Sequence, residues 1–203
     1  HAAYRAQFDR VGAVEVDSYD ALMEAAAFFA KAGRPRGPGI AVLANSGGAA
    51  IIAGDEAELH GVPLPQPSGE TRERIATAVP DFGAVRNPVD MTAQIMSDRA
   101  MLGKCADALF ADPEYGAVLW PYLYVRASVI ERRETLSALA RKHGKLALFA
   151  WISDWLEGPG AVEAERDPNT AVFRSLKRCM AAVSAWHRRD ARRRTGDGAA
   201  PRL

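Results

Sequence analysis

The sequence predicts an α/β fold, an open parallel sheet with helices on both faces. Apolar runs of strand length recur at Ile40–Ala44, Gly116–Tyr122 and Lys145–Ile152. Between them lie amphipathic stretches long enough to be helices, so the connections are crossovers and not hairpins. Apart from Lys145 at the start of the third, the runs are apolar and do not alternate, as strands covered on both sides require.

In chain order, Ala2–Arg10 reads as helix and Ala13–Val16 as a short strand. Asp17 and Ser18 then cap a helix from Tyr19 to Lys31, with Leu22, Ala25, Ala26 and Phe29 on its apolar face. Residues 1–33 are thus expected to be a strand–helix unit preceding the main domain. Gly33-Arg-Pro-Arg-Gly-Pro-Gly39 can be neither helix nor inner strand, which makes 34–39 the linker. The main domain is expected over 40–189. It starts with strand Ile40–Ala44, helix Ala49–His60, a short strand Val62–Leu64 and a helix from Pro67 to about Ala78. Asn87-Pro88-Val89-Asp90 interrupts the pattern, because a residue before proline is pushed out of the α region. Helix Ser97–Ala111, strand Gly116–Tyr122, helix Ser128–His143 and strand Lys145–Ile152 follow. A polar stretch from Ser153 to Asn169 leads to a short strand Ala171–Phe173 and a last helix Ser175–Arg189. Residues 190–203 are expected to be a disordered tail.

Composition excludes several classes of function. The 203 residues carry 26 Lys and Arg against 25 Asp and Glu, a net charge of +1, so no global field draws the chain to nucleic acid or anionic lipid. The arginines cluster at the end: from Arg188 to Leu203 the local charge is +4, leaving the body at −3. The longest apolar run, Leu146–Ile152, has seven residues, against about 20 for a membrane span. Two isolated cysteines and no signal peptide fit a reducing, cytoplasmic setting without a disulfide framework or a metal site.

In an open parallel sheet, ligands bind at the carboxyl ends of the strands. The loop Asn45-Ser46-Gly47-Gly48 runs from a buried strand directly into a helix. Asn45 or Ser46 can supply a capping oxygen, and the glycines keep side chains clear of the first-turn N–H groups, a ready anion site. Asn87, Pro88 and Asp90 lie in a second such loop. Tyr122, Tyr124 and Arg126 form a third, suited to an aromatic or carboxylate substrate. His60 and His143 each precede a glycine at a helix C-terminus, where imidazole complements the dipole. Ser46 sits in a short Ala-x-Ser-x-Gly run, which leaves a nucleophilic serine open as an alternative.

Ala41-Val-Leu-Ala-Asn-Ser-Gly-Gly-Ala49 and, about forty residues on, Asn87-Pro-Val-Asp-Met-Thr92 resemble the NDP-forming acyl-CoA synthetase family, which includes succinyl-CoA synthetase and ADP-forming acetate–CoA ligase. Tyr4-Arg-Ala-Gln-Phe-Asp-Arg-Val-Gly-Ala-Val-Glu-Val-Asp-Ser18 is similar to the stretch after that family's phosphohistidine loop. Phe149-Ala-Trp-Ile152 and Asn169-Thr-Ala-Val-Phe-Arg-Ser175 are similar to its closing strands. The resemblance spans roughly residues 2–188 and implies a flavodoxin-like, succinyl-CoA-ligase-like domain, the second of two ligase domains.

In that family an acyl phosphate made from acyl-CoA and phosphate phosphorylates a histidine, which passes the group to NDP. The resemblance implies that Asn45, Ser46, Gly47 and Gly48 form one of two helix N-termini that hold the phosphoryl group. It implies a parent enzyme using CoA, ATP/ADP, Mg2+ and phosphate, with CoA-binding and ATP-grasp domains in cis or trans, and an oligomer. The chain departs from the family in lacking a His-Thr-Gly-like or His-Lys-Ser-Gly-like loop, a CoA-binding glycine turn and an ATP-grasp segment. It is therefore expected to be a fragment or subunit that binds no cofactor and is inactive alone. Two alternatives stand beside this: a ligase-like regulatory region of a protein acetyltransferase, and a serine hydrolase using Ser46.

Overall fold

The computed structural model of the chain describes residues 2–96, 98–123 and 128–195. Five strands form one parallel sheet: β1 (Gly39–Ala44), β2 (Val89–Asp90), β3 (Tyr115–Tyr122), β4 (Leu146–Trp151) and β5 (Thr170–Phe173). Their order is β2-β1-β3-β4-β5, the flavodoxin-like order of a doubly wound sheet. The chain leaves β1 for one edge, then returns to β3 on the other side and continues outward. The crossovers therefore change face between β1 and β3, and a crevice opens there at the carboxyl edge.

Helices cover both sides of this sheet. They are α2 (Tyr19–Lys31), α3 (Gly47–His60), α4 (Gly69–Ala76), α5 (Arg99–Ala111), α6 (Ser128–His143), α7 (Ala161–Arg166) and α8 (Leu176–Thr195), preceded by α1 (Ala2–Val11), whose described side chains are all exposed. The β3–β4 register pairs Ala117 with Leu146 and Tyr122 with Trp151, so the two-residue period sorts side chains cleanly between two cores. Val118, Trp120, Tyr122, Phe149 and Trp151 pack under α4, α5, α6 and α7. Ala117, Leu119, Leu146, Leu148 and Ala150 pack under α2, α3 and α8. Both faces of the central strands are covered, which is why these strands read as continuous apolar runs.

Several elements differ from the sequence reading. Residues 13–16 are extended, yet they pair with no strand among the described residues. Residues 62–64 also form no strand, although the Pro63 carbonyl accepts from Ile40 N at 3.1 Å. The buried face of α2 is Ala21, Ala25 and Phe28, one position away from the expected stripe, and Leu22 is 49% exposed. Phe28 selects this face by meeting the Phe173 ring at a tilt and the Trp186 ring edge-on, with ring centroids 5.7 and 5.6 Å apart. The 34–39 stretch is docked. Trp186 Nε1 donates to Gly33 O, and a Cβ on Gly37 would lie 2.5 Å from the Tyr115 backbone. Residues 190–195 continue α8 where a disordered tail is expected, because Asp190 ties Arg34 at 2.9 Å and Arg194, one turn on, at 2.7 Å. Residues 196–203 lie outside the described residues. Helix α7, inside the polar 153–169 stretch, and the two-residue β2 are both too short to carry a periodic signal.

On the α4–α5–α6 face, Asp107 accepts from Arg74 at 2.8 Å, Lys142 at 2.8 Å and His143 at 2.9 Å. His143, expected to cap α6, thus instead ties α6 to α5, while Gly144 ends the helix in the left-handed region at φ +63°. Hydrogen bonds from Lys142 and then His143 hold the Asp107 carboxyl well below the usual carboxylate range. Its contribution to stability is therefore present above the unfolded-state value of about 3.9 and disappears as pH falls from there through the lower folded value. Asp107→Asn should cost about 1–2 kcal/mol at neutral pH. In urea titrations the gap between variant and wild type should narrow only below about pH 4. A gap that is constant down to pH 2 would refute this.

Candidate phosphoryl site

The α3 N-terminus is built by the abrupt end of β1. All six residues of that strand are buried, and Asn45 turns the chain out to Ser46, the N-cap, at φ −154° and ψ 123°. The Ser46 carbonyl accepts the first helical bond from Ala50 N at 3.0 Å, but its side chain makes no capping bond. The cap stabilisation expected of Ser46 is therefore absent. Gly47 and Gly48 are exposed, and the first turn carries no acidic residue. First-turn N–H groups have no intrahelical partner, so here they meet the carboxyl-edge surface beside the β1–β3 crevice.

Asp90 completes this edge. It pairs with Ala44 in the β1–β2 register, and its Oδ1 accepts from Thr92 N at 2.8 Å. Its Oδ2 lies 3.3 Å from the position a Cβ on Gly47 would take. The turn it stabilises holds Thr92 at φ +58°, a left-handed conformation unusual for a β-branched residue and one that functional loops retain. Thr92 closes the Asn87–Thr92 run, but its positive φ has no local signal beyond its place two residues after an aspartate in an Asx-turn.

Asn87 and Pro88 do not belong to this surface. The Asn87 side chain accepts from Val42 N at 2.9 Å and donates to Ile40 O at 2.9 Å and Pro65 O at 3.0 Å. Its amide thus takes the place of a strand beside β1, and its backbone is bonded in turn by Gln66. With both amide hydrogens used and 5% exposure, it has no group to offer a ligand. Pro88, after a cis peptide bond, packs near Gly54 of α3. The substrate role expected of these two residues gives way to a structural one.

Tyr122 ends β3 and is buried, with its ring 5.3 Å from those of Phe149 and Trp151. Burial pushes its phenol well above the ordinary range. Tyr124 and Arg126 lie outside the described residues. The hydrolase alternative lacks a base among the described residues. His60 sits at the far end of α3, about 20 Å from Ser46, with Nδ1 on the Glu56 carbonyl at 2.9 Å. His143 is held by Asp107. His187 packs beside Trp186 on α8. Among the described residues no three His, Cys, Asp or Glu side chains gather as metal ligands, and no helix is long and apolar enough to cross a membrane.

No family model matches the chain. It is 26% identical over 190 residues to the alpha subunit of acetate–CoA ligase (ADP-forming) I from Pyrococcus furiosus, covering 91% of this chain and 40% of that protein. It is 24% identical over 195 residues to a trans-feruloyl-CoA synthase from an unknown prokaryotic organism, covering 91% of this chain and 27% of that protein. Among solved structures, the dinucleotide-forming acetyl-coenzyme A synthetase 1 of Ca. Korarchaeum cryptofilum, in complex with phosphate and ADP, superposes with a TM-score of 0.75 and 22% identity, covering 99% of this chain and 44% of that one. The chain spans less than half the length of each of these proteins. Over about nine-tenths of its length the chain is thus similar in sequence to parts of these two proteins, and it shares the fold of a part of the acetyl-coenzyme A synthetase.

Proposed function

We propose that this chain is the second ligase domain, with the last segment of the first, of an NDP-forming acyl-CoA synthetase. Its α3 N-terminus holds the phosphoryl group in transit. The observation that carries this reading is the open first turn at Gly47–Gly48, at the carboxyl edge of a parallel sheet, with no side-chain cap and no acid of its own. Partial positive charge and several N–H donors at such a terminus match a phosphoryl dianion without a side-chain cation. In the complete enzyme, acyl-CoA and phosphate yield CoA and an acyl phosphate, whose phosphoryl group moves to a histidine and then to NDP. The residues of this chain orient that group and shield it from water. Asp90, whose Oδ2 faces Gly47, places a negative charge beside the site. That charge weakens the hold, as a carrier that must release its cargo requires.

CoA, ATP/ADP and Mg2+ belong, in this reading, to CoA-binding and ATP-grasp domains supplied in cis or trans. The purified 203-residue chain should form no acyl-CoA from acid, CoA and ATP. Adding the missing domains of the parent should restore turnover by at least about 100-fold over background, the scale of a recovered electrostatic site. Turnover by the chain alone would refute the assignment of parts.

A further inference from the structure

Two adjoining cavities lie along α8, where it meets the extended residues 13–16. The smaller, about 150 Å³, is lined by Arg5 of α1, by Arg188, Arg189 and Arg192 of α8, and by a single acid, Glu15. That acid is already engaged, 3.3 Å from Arg5 Nε. Arg188 donates through Nη1 to Ser184 Oγ at 2.6 Å, and Arg189 lies over the Phe29 ring at 4.9 Å. Among the described residues neither of these two forms an ion pair with a carboxylate. The larger cavity, about 480 Å³, shares Arg5, Val14, Glu15 and Arg188 with the first and runs along α8 as far as Lys177. Its middle is apolar, lined by Val14 and Val16, by Ala21 and Ala25 of α2, and by Leu59 and Ala181.

Arginines near a helix C-terminus complement its dipole, but that effect does not bring Arg5 of another helix to the same cavity. Like charges lining one cavity repel, and one bonded carboxylate does not offset them. A dianion balances more of this excess than a carboxylate does, and guanidinium groups hold phosphoryl oxygens in bidentate pairs. The smaller cavity has the volume of about five waters at ~30 Å³ each, room for one phosphoryl group. The larger is within the range of about 300–1,000 Å³ usual for small-molecule sites, and its apolar middle suits an organic body. His60 also lines it and ends the 14-residue α3 that Gly47 begins, about 20 Å away. A ligand here is therefore an effector and not a group in transit at the α3 N-terminus.

We propose that the two cavities form one effector site for an organic phosphate monoester, with its phosphoryl group among Arg5, Arg188 and Arg189 and its body in the groove beneath Val14 and Val16. The site stands apart from the synthetase reading, and its test reads binding to the full 203-residue chain with no turnover involved. Phenyl phosphate is titrated into the 15N-labelled chain while the arginine Nε–H resonances are followed, with inorganic phosphate and benzoate as parallel probes. Phenyl phosphate should shift the Arg188 and Arg189 signals saturably and bind about tenfold more tightly than either parallel probe. Arg188→Gln and Arg189→Gln should each weaken it about tenfold. Arg188 is exposed, so its variant should keep the fold. Ala181→Leu narrows the groove from α8 and should weaken phenyl phosphate while leaving inorganic phosphate unchanged. The proposal is overturned if the two arginine signals do not saturate, or if both glutamine variants bind as the wild type does. Equal binding of inorganic phosphate would also overturn it, by showing a bare ion at a basic surface, and so would equal binding of benzoate. Failure here with successful reconstitution would leave the synthetase reading standing, and the reverse outcome would leave this site standing.

Discussion

Gly47→Val in the complete synthetase should reduce histidine phosphorylation by acyl phosphate at least about 100-fold, the usual cost of removing a positioned oxyanion donor. The added Cβ meets Asp90 Oδ2 at 3.3 Å, so the carboxylate must shift by a few tenths of an ångström. The γ-methyls would then occupy the face on which the proposed phosphoryl site opens. Folding should suffer far less, since Gly47 is exposed and stands at the first helical position. Gly103→Ala in α5 is the control, because its Cβ would meet nothing within 4 Å and the residue is no part of the proposed site. Quench-flow measurement of phosphohistidine decides the matter. Wild-type rates in Gly47→Val would reduce the helix terminus to a structural turn.

The second large effect is on stability. Asn87→Ala should destabilise the chain by about 3–5 kcal/mol, because Val42 N–H, Ile40 O and Pro65 O all lose a buried partner at about 1–3 kcal/mol each, with partial relaxation. Urea or guanidinium denaturation of the 203-residue chain measures it. Asn87→Asp should rescue only part of the loss: it keeps the acceptor for Val42 N but presents a carboxylate to the Ile40 and Pro65 carbonyls. A loss below 1 kcal/mol for Asn87→Ala would show that the strand edge does not depend on this amide.

These two residues divide what could be read from the sequence and what could not. Gly47 was legible as a helix-terminus residue because its signal is local: a buried strand, a small polar residue and two glycines in succession fix a helix terminus whatever the surroundings. Asn87 stood in an equally recognisable loop, yet nothing local says that its amide faces β1 rather than solvent. Its partners, Ile40 and Val42, lie more than forty residues away, and only the register of the sheet brings them together. The same limit shifted the apolar face of α2, which Phe173 and Trp186 select.

By itself, the sequence determined the class of fold, the helices α2 and α6, the three long strands and the glycine-opened terminus of α3. Each of these rests on periodicity, propensity or capping chemistry within a dozen residues. Tertiary structure alone decided the strand order and its switch point, the extension of the β2 edge by the Asn87 side-chain amide, and the helical continuation to Thr195. Those features depend on which distant groups must share buried hydrogen bonds and charge, a requirement that exists only once the sheet has brought them within reach.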